Sequence, residues 1–160
     1  MPHLNERWAA EVLGIQLNNH NGVDLIGDNY IMEVKFALPK EFGWTVLEYQ
    51  MAYPKSYPKK NAYWGLGIYT LSAPVSKIRD AKEEKLEELV SMRELWIVPW
   101  QWMFQFPPSE TSGKTKFSEW NNTLRYPKKN KLPEIEETHK VKKGLVHLTR
   151  GVSPEIIHLG

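Results

Sequence analysis

Residues 22–36 read GVDLIGDNYIMEVKF, with an acid at Asp24 followed nine positions later by Glu33-Val34-Lys35. Val23, Leu25 and Ile26 form a short apolar run, Gly27-Asp28-Asn29 is a turn cluster, and residues 30–36 make a second run. The pattern predicts a β-hairpin. A period of two puts Met32, Val34 and Phe36 on one face of the second strand, and Ile31, Glu33 and Lys35 on the other. Asp24 interrupts apolar residues, which is unfavourable unless something binds its carboxylate. Two carboxylates converging across a hairpin repel each other, and a divalent cation is the simplest group to stabilise them. Oxygen ligands suit Mg²⁺, with Mn²⁺ able to substitute, rather than zinc. Lys35 shares the face of Glu33, where an ammonium can orient a water or offset charge on a phosphoryl group. The competing reading is an exposed hairpin with ordinary surface charges.

Asp24, eight intervening residues and then Glu33-Val34-Lys35 resembles the signature of the PD-(D/E)XK nuclease superfamily, which includes many restriction enzymes and archaeal Holliday-junction resolvases. Val23 stands where a proline usually precedes the first acid. The resemblance implies an α/β fold with a restriction-endonuclease-like core, a mixed central β-sheet flanked by helices. It also implies a Mg²⁺-dependent endodeoxyribonuclease. Asp24 and Glu33 would then be metal ligands, the Val34 carbonyl a further oxygen, and Lys35 the catalytic lysine. Family enzymes often add a carboxylate from an N-terminal helix. A helix is predicted over residues 5–13, with Asn5 as its cap and Trp8, Ala9, Val12 and Leu13 as its apolar stripe. Glu6 flanks that stripe and is the better-oriented acid, with Glu11 as the substitute. Gln50-Met51-Ala52-Tyr53 resembles a Gln-x-x-Tyr pair that follows the E-x-K strand in several branches, where the glutamine positions the lysine or a substrate phosphate.

Candidate contacts to DNA surround this stretch. His20 lies in the polar loop leading into the hairpin, and Lys40 in the break after it. Residues 53–63, YPKSYPKKNAY, place Tyr53 and Tyr57 among Lys55, Lys59 and Lys60 in a basic, aromatic, proline-stiffened loop. Lys128 and Lys129 follow Trp120 and Tyr126 in a polar C-terminal region. For each group, solvated scaffolding is the alternative.

Composition sets the remaining bounds. The 160 residues suit a single domain. The 21 basic and 19 acidic residues leave a net charge of +2, so any nucleic-acid surface has to come from distribution and not from excess. Cysteine is absent, which excludes disulfides and thiolate metal sites. No window approaches a membrane span, and a cytoplasmic setting fits. Strands are expected over 62–71 and 95–104 and over 44–47, where the alternative is a transition into a helix; Pro99 marks an edge or bulge, and Trp96, Trp100 and Trp102 share a face that closes the core or, alternatively, meets a partner subunit. A helix is expected over 75–92 with a solvated acidic side. Short strands over 144–149 and 156–159 are expected to pair with each other. The resemblance covers residues 1–105 as a catalytic core, leaving 106–160 as a basic extension for DNA binding or dimerisation. One site per chain makes a homodimer the expectation for cutting two strands. Sequence-directed duplex cleavage is the leading reading. A Holliday-junction resolvase and a non-catalytic DNA-binding or assembly protein of the same fold are the alternatives.

Overall fold

Trp8, Ala9, Val12 and Leu13 recur at helical spacing, and all four are buried on α1, Leu4–Leu13. The structure, a computed structural model, describes residues 3–18, 22–39, 43–74, 82–105, 121–125 and 132–158. α1 stops at Gly14, whose φ of 64° is the left-handed conformation that glycine adopts without strain. Asn5 is not the helix cap. His3 holds that position, while Asn5 is buried in the first turn and accepts a hydrogen bond from Arg93 Nε at 2.9 Å.

The chain then makes three antiparallel strands, β1 (Gln16–Leu17), β2 (Leu25–Ile26) and β3 (Tyr30–Ala37). The Gly27 N–H closes the turn between the last two by bonding to the Tyr30 carbonyl at 2.8 Å. A crossover follows through β4 (Gly43–Leu47), α2 (Glu48–Met51) and a 3-10 turn at Tyr53–Ser56, and it returns as β5 (Asn61–Leu71), parallel to β3. Gly67 in β5 lies under the Phe36 ring, where a Cβ would overlap it. α3 (Glu83–Leu89) precedes β6 (Val90–Pro99), and further along come β7 (Asn121–Arg125), β8 (Ile135–Val141) and β9 (Gly144–Thr149). Seven strands form one mixed sheet in the order β1-β2-β3-β5-β6-β9-β8, and β4 pairs separately with β7.

The sheet has a core on each face. α1 covers one of them, packing Trp8, Val12 and Leu13 with Leu25, Met32, Val34, Leu95, Ile97, Val146 and Leu148. The other face buries Trp64, Leu66, Trp96 and Val98 with Trp44 and Val46 of β4 and with Trp100 and Met103. There the Trp64 and Trp100 rings stack at 3.8 Å, and Trp100 Nε1 donates to the Met51 carbonyl at 3.1 Å. That bond fixes the end of α2 against the sheet. Among the described residues no helix is long and apolar enough to cross a membrane.

Several sequence expectations change. Of the helix expected over 75–92, residues 75–81 lie outside the described set, and α3 ends at Leu89 because Val90 enters β6 opposite Leu71. The strand expected over 95–104 ends at Pro99, and Trp100–Gln105 turn into a 3-10 helix. β6 is an interior strand, not an edge; Pro99 is its last residue, so its missing N–H interrupts no continuing ladder. Trp96, Trp100 and Trp102 nevertheless all reach the second core. Ile156 sits in a 3-10 turn, and the partners of β9 are β8 and β6. β9 supplies buried Val146 and Leu148, so the main sheet draws on chain beyond residue 105.

Candidate functional site

The β2–β3 register pairs Leu25 with Met32, and one step further it brings Asp24 opposite Glu33. Each acid is held by the other's strand. The Asp24 N–H donates to Glu33 Oε1 at 3.0 Å, and the Val34 N–H donates to Asp24 Oδ2 at 2.9 Å. Lys35 Nζ stands 3.4 Å from Glu33 Oε2. On the opposite side of β3, Glu33 is in register with buried Trp64 and Lys35 with buried Leu66, so apolar neighbours keep water from the carboxylate. Glu33 is only 2% exposed. Burial pushes its carboxyl up to about 8, the charge of Asp24 adds to the rise, and Lys35 opposes it.

Glu6 looks onto the same charges. Burial raises its pKa, Asp24 raises it further, and His3 and Lys35 work the other way. His3 Nδ1 lies 3.0 Å from Glu6 Oε2. Glu11, the other helix acid, instead pairs with Lys142 Nζ at 3.0 Å. From the crossover, buried Gln50 hydrogen-bonds the Tyr53 hydroxyl. The Tyr53 phenol is pushed up by burial, then by the negative charges of Glu33 and Asp24 and by Tyr49. Gln50 and Tyr53 are thus brought towards the acid pair, and Tyr53 lies nearer to it than its assignment to the DNA-contact loop implies.

No family model, curated protein or solved structure matches this chain. The site is therefore read from its own chemistry. Among the described residues no three His, Cys, Asp or Glu side chains are grouped to hold a metal ion. The hairpin offers two carboxylates and the Val34 carbonyl, which leaves the same strand edge as the Val34 N–H. Mg²⁺ commonly takes one or two carboxylates and keeps water on its other positions, so this all-oxygen set fits it. It lacks the nitrogen or sulfur donors that zinc prefers.

The basic loop runs beside the hairpin, since the Asn61 N–H bonds to the Asn29 carbonyl at 3.0 Å. Lys55 and Lys59 are exposed there and Tyr57 is half-buried. Lys60 differs from the phosphate contact expected of it: its Nζ donates to the Gly27 carbonyl at 2.6 Å and fastens loop to turn. His20, Lys40, Lys128 and Lys129 lie outside the described residues. Sequence reading passed over His3, although its position three residues before Glu6 is the helical spacing of an ion pair.

The acid pair predicts a pH dependence of folding. In the unfolded chain Glu33 titrates near its ordinary 4.5, and in the metal-free fold near 8. Between those values the folded state holds the extra proton, so stability falls as pH rises from about 4.5 towards 8. Glu33→Gln keeps an acceptor for the Asp24 N–H and removes the charge, so the variant should lose this component. Urea unfolding at pH 5 and pH 8 in chelator checks it; an unchanged pH dependence in the variant counts against the coupling.

Proposed function

We propose that this chain is a Mg²⁺-dependent endodeoxyribonuclease of the PD-(D/E)XK type, built on a restriction-endonuclease-like core. The observation that carries the reading is the reciprocal clamp of Asp24 and Glu33 with Lys35 beside it. A buried carboxyl such as Glu33, raised in pKa by burial and then by the charge of Asp24, is unfavourable in a structural role and suited to a cation. Asp24, Glu33 and the Val34 carbonyl would hold Mg²⁺, which when bound supplies Lewis-acid polarisation of a phosphate and a more acidic water. Lys35 orients the attacking water and offsets charge developing on the phosphoryl oxygens. Gln50, bonded to Tyr53, holds the lysine or a non-bridging phosphate oxygen in place, and Glu6 contributes negative charge from α1. Lys55, Lys59 and Tyr57 lie along the hairpin, where they would meet the flanking backbone of a bound duplex.

Sequence-directed cleavage of duplex DNA is the preferred form, with a homodimer supplying two sites for two strands. The test is incubation with genomic-length duplex DNA, which samples many recognition sequences, and separately with a synthetic four-way junction, each in Mg²⁺ and in chelator. Cleavage of the duplex in Mg²⁺ alone is expected, with Mn²⁺ substituting. Cleavage confined to the junction makes the enzyme a resolvase of the same chemistry. Absence of cleavage on both substrates, or cleavage unaffected by chelator, contradicts the proposal and leaves a DNA-binding protein of this fold.

A further inference from the structure

Residues 48–53 read EYQMAY, and a spacing of four puts Tyr49 and Tyr53 on one side of α2 and the turn that follows it. Gln50 is buried and Met51 packs against the second core, but Tyr49 is 52% exposed. Among the described large apolar side chains only Phe104 is more open. The Tyr49 ring meets the Tyr53 ring edge to face, with centroids 6.1 Å apart and planes at 71°. That contact narrows the rotamers open to Tyr49 while about half of the residue still faces solvent.

The contacts that fix these rings lead to the acid pair. Glu33 is in register with Trp64 of β5, so the two side chains share a face of the sheet. Trp64 stacks on Trp100, and Trp100 Nε1 donates to the carbonyl of Met51, two residues from Tyr49. Tyr53, the ring that Tyr49 touches, feels the charges of both Glu33 and Asp24. Lys55 is exposed two residues further on. An open ring therefore stands beside the carboxylates, with one other ring between it and their charges and a lysine on the following turn.

We propose that Tyr49 is a base-stacking residue that takes the base of an unpaired nucleotide next to the phosphate at the acid pair, so that the DNA cut here is open at the point of cleavage. The inference rests on the nuclease reading for the identity of the strand. Stacking suits this position because every base has a π face and none carries a charge, so the carboxylates do not repel it as they repel a phosphate. Inside a duplex both faces of a base are covered by its neighbours, and a ring on a protein surface reaches only a base that has left the stack. Duplex DNA is then cut with one nucleotide drawn out, which costs unstacking and unpairing free energy. Mismatched or single-stranded DNA does not bear that cost and should be cut faster.

Photo-cross-linking of the full chain tests it, using single-stranded oligonucleotides with one 5-iodouracil stepped along the sequence and Ca²⁺ in place of Mg²⁺ to hold the DNA uncut. The cross-linked peptide, read by mass spectrometry, should contain Tyr49. In Mg²⁺, Tyr49→Ala should raise KM for a mismatched duplex about tenfold, Tyr49→Trp should restore it and Tyr49→Leu should not. Circular dichroism checks that each variant is folded. Removing the base from the substrate at the cross-linked position should make wild type and Tyr49→Ala cut alike, a result that a merely structural role for the ring does not produce. Cleavage that proceeds with no cross-link at Tyr49, or equally well in Tyr49→Ala, overturns the stacking alone and leaves the open ring to a protein partner. A cross-link at Tyr49 without cleavage of any DNA supports the stacking and overturns the nuclease reading, and absence of both overturns the two together.

Discussion

Lys35→Ala is expected to reduce Mg²⁺-dependent DNA cleavage on the order of 10²–10³-fold and to leave metal binding in place. The separation follows from the charges. Lys35 Nζ lies 3.4 Å from Glu33 Oε2, where it lowers the pKa that burial and Asp24 raise. Removing the ammonium makes the pocket more negative, so a dication should bind at least as well. What is lost, on the proposed mechanism, is the donor that would fix a water and the positive charge that would face a phosphate. Thermal unfolding with and without Mg²⁺ reads the first property, since a ligand that binds only the folded state raises the midpoint. That rise should persist in Lys35→Ala and disappear in Asp24→Asn. Lys35→Arg should restore little, because the guanidinium is a wider, planar donor in a space shaped for a compact one. Cleavage by Lys35→Ala at the wild-type rate would remove the lysine from the mechanism. A lost Mg²⁺ stabilisation would instead make it a residue that shapes the metal pocket.

The hairpin could be read in advance because every signal in it is local. A turn cluster separates two short apolar runs, the period is two, and a slip of one residue would have turned Glu33 and Lys35 into the core under α1 and taken Met32 and Val34 out of it. The arrival of Tyr53 near Glu33 had no such local signal, only the resemblance of Gln50-Met51-Ala52-Tyr53 to a Gln-x-x-Tyr pair. It depends on a crossover through β4 and α2 whose end is fixed by the bond from Trp100 to Met51, 49 positions apart. β8 was read as polar extension for a physical reason: an edge strand has solvent beside it, and IEETHKV has little of the apolar alternation of an interior strand. The overlong helix has a similar cause. Val90 and Met92 continue a helical stripe as well as they begin a strand, and the choice is made by pairing with Thr70 and Leu71 across the sheet. The acidic side of that helix was read as wholly solvated, which holds for Glu84 and Glu88 but not for Glu87.

Glu87→Ala should destabilise the fold far more than a surface acid would. Its partner, Arg93, is 0% exposed in the middle of a sheet, where an unpaired guanidinium has no water to turn to. Glu87 meets it as a two-pronged pair at 2.8 and 2.7 Å. Asn5 accepts from Nε at 2.9 Å, and the Trp8 ring lies 5.6 Å from the guanidinium carbon. One side chain thereby ties α3, α1 and β6 together. The Arg93 hydrogen bonds hold the Glu87 carboxyl below its ordinary pKa against the opposing effect of burial. Breaking a fully buried pair costs about 3–5 kcal/mol, and because Glu87 is 39% exposed and water can enter its place, about 2–4 kcal/mol is expected. Urea unfolding at pH 7 measures it. The linkage has a definite sign. A depressed acid pKa contributes stability above the ordinary value of 4.5 that is lost as pH falls through the folded value, so the gap between wild type and variant should narrow in acid. Arg93→Met in the Glu87→Ala background should recover much of the loss, because it removes the stranded charge and fills its place with apolar volume. A single-variant loss below about 0.5 kcal/mol would place the pair among ordinary surface salt bridges and leave Asn5 and Trp8 to account for the burial of Arg93.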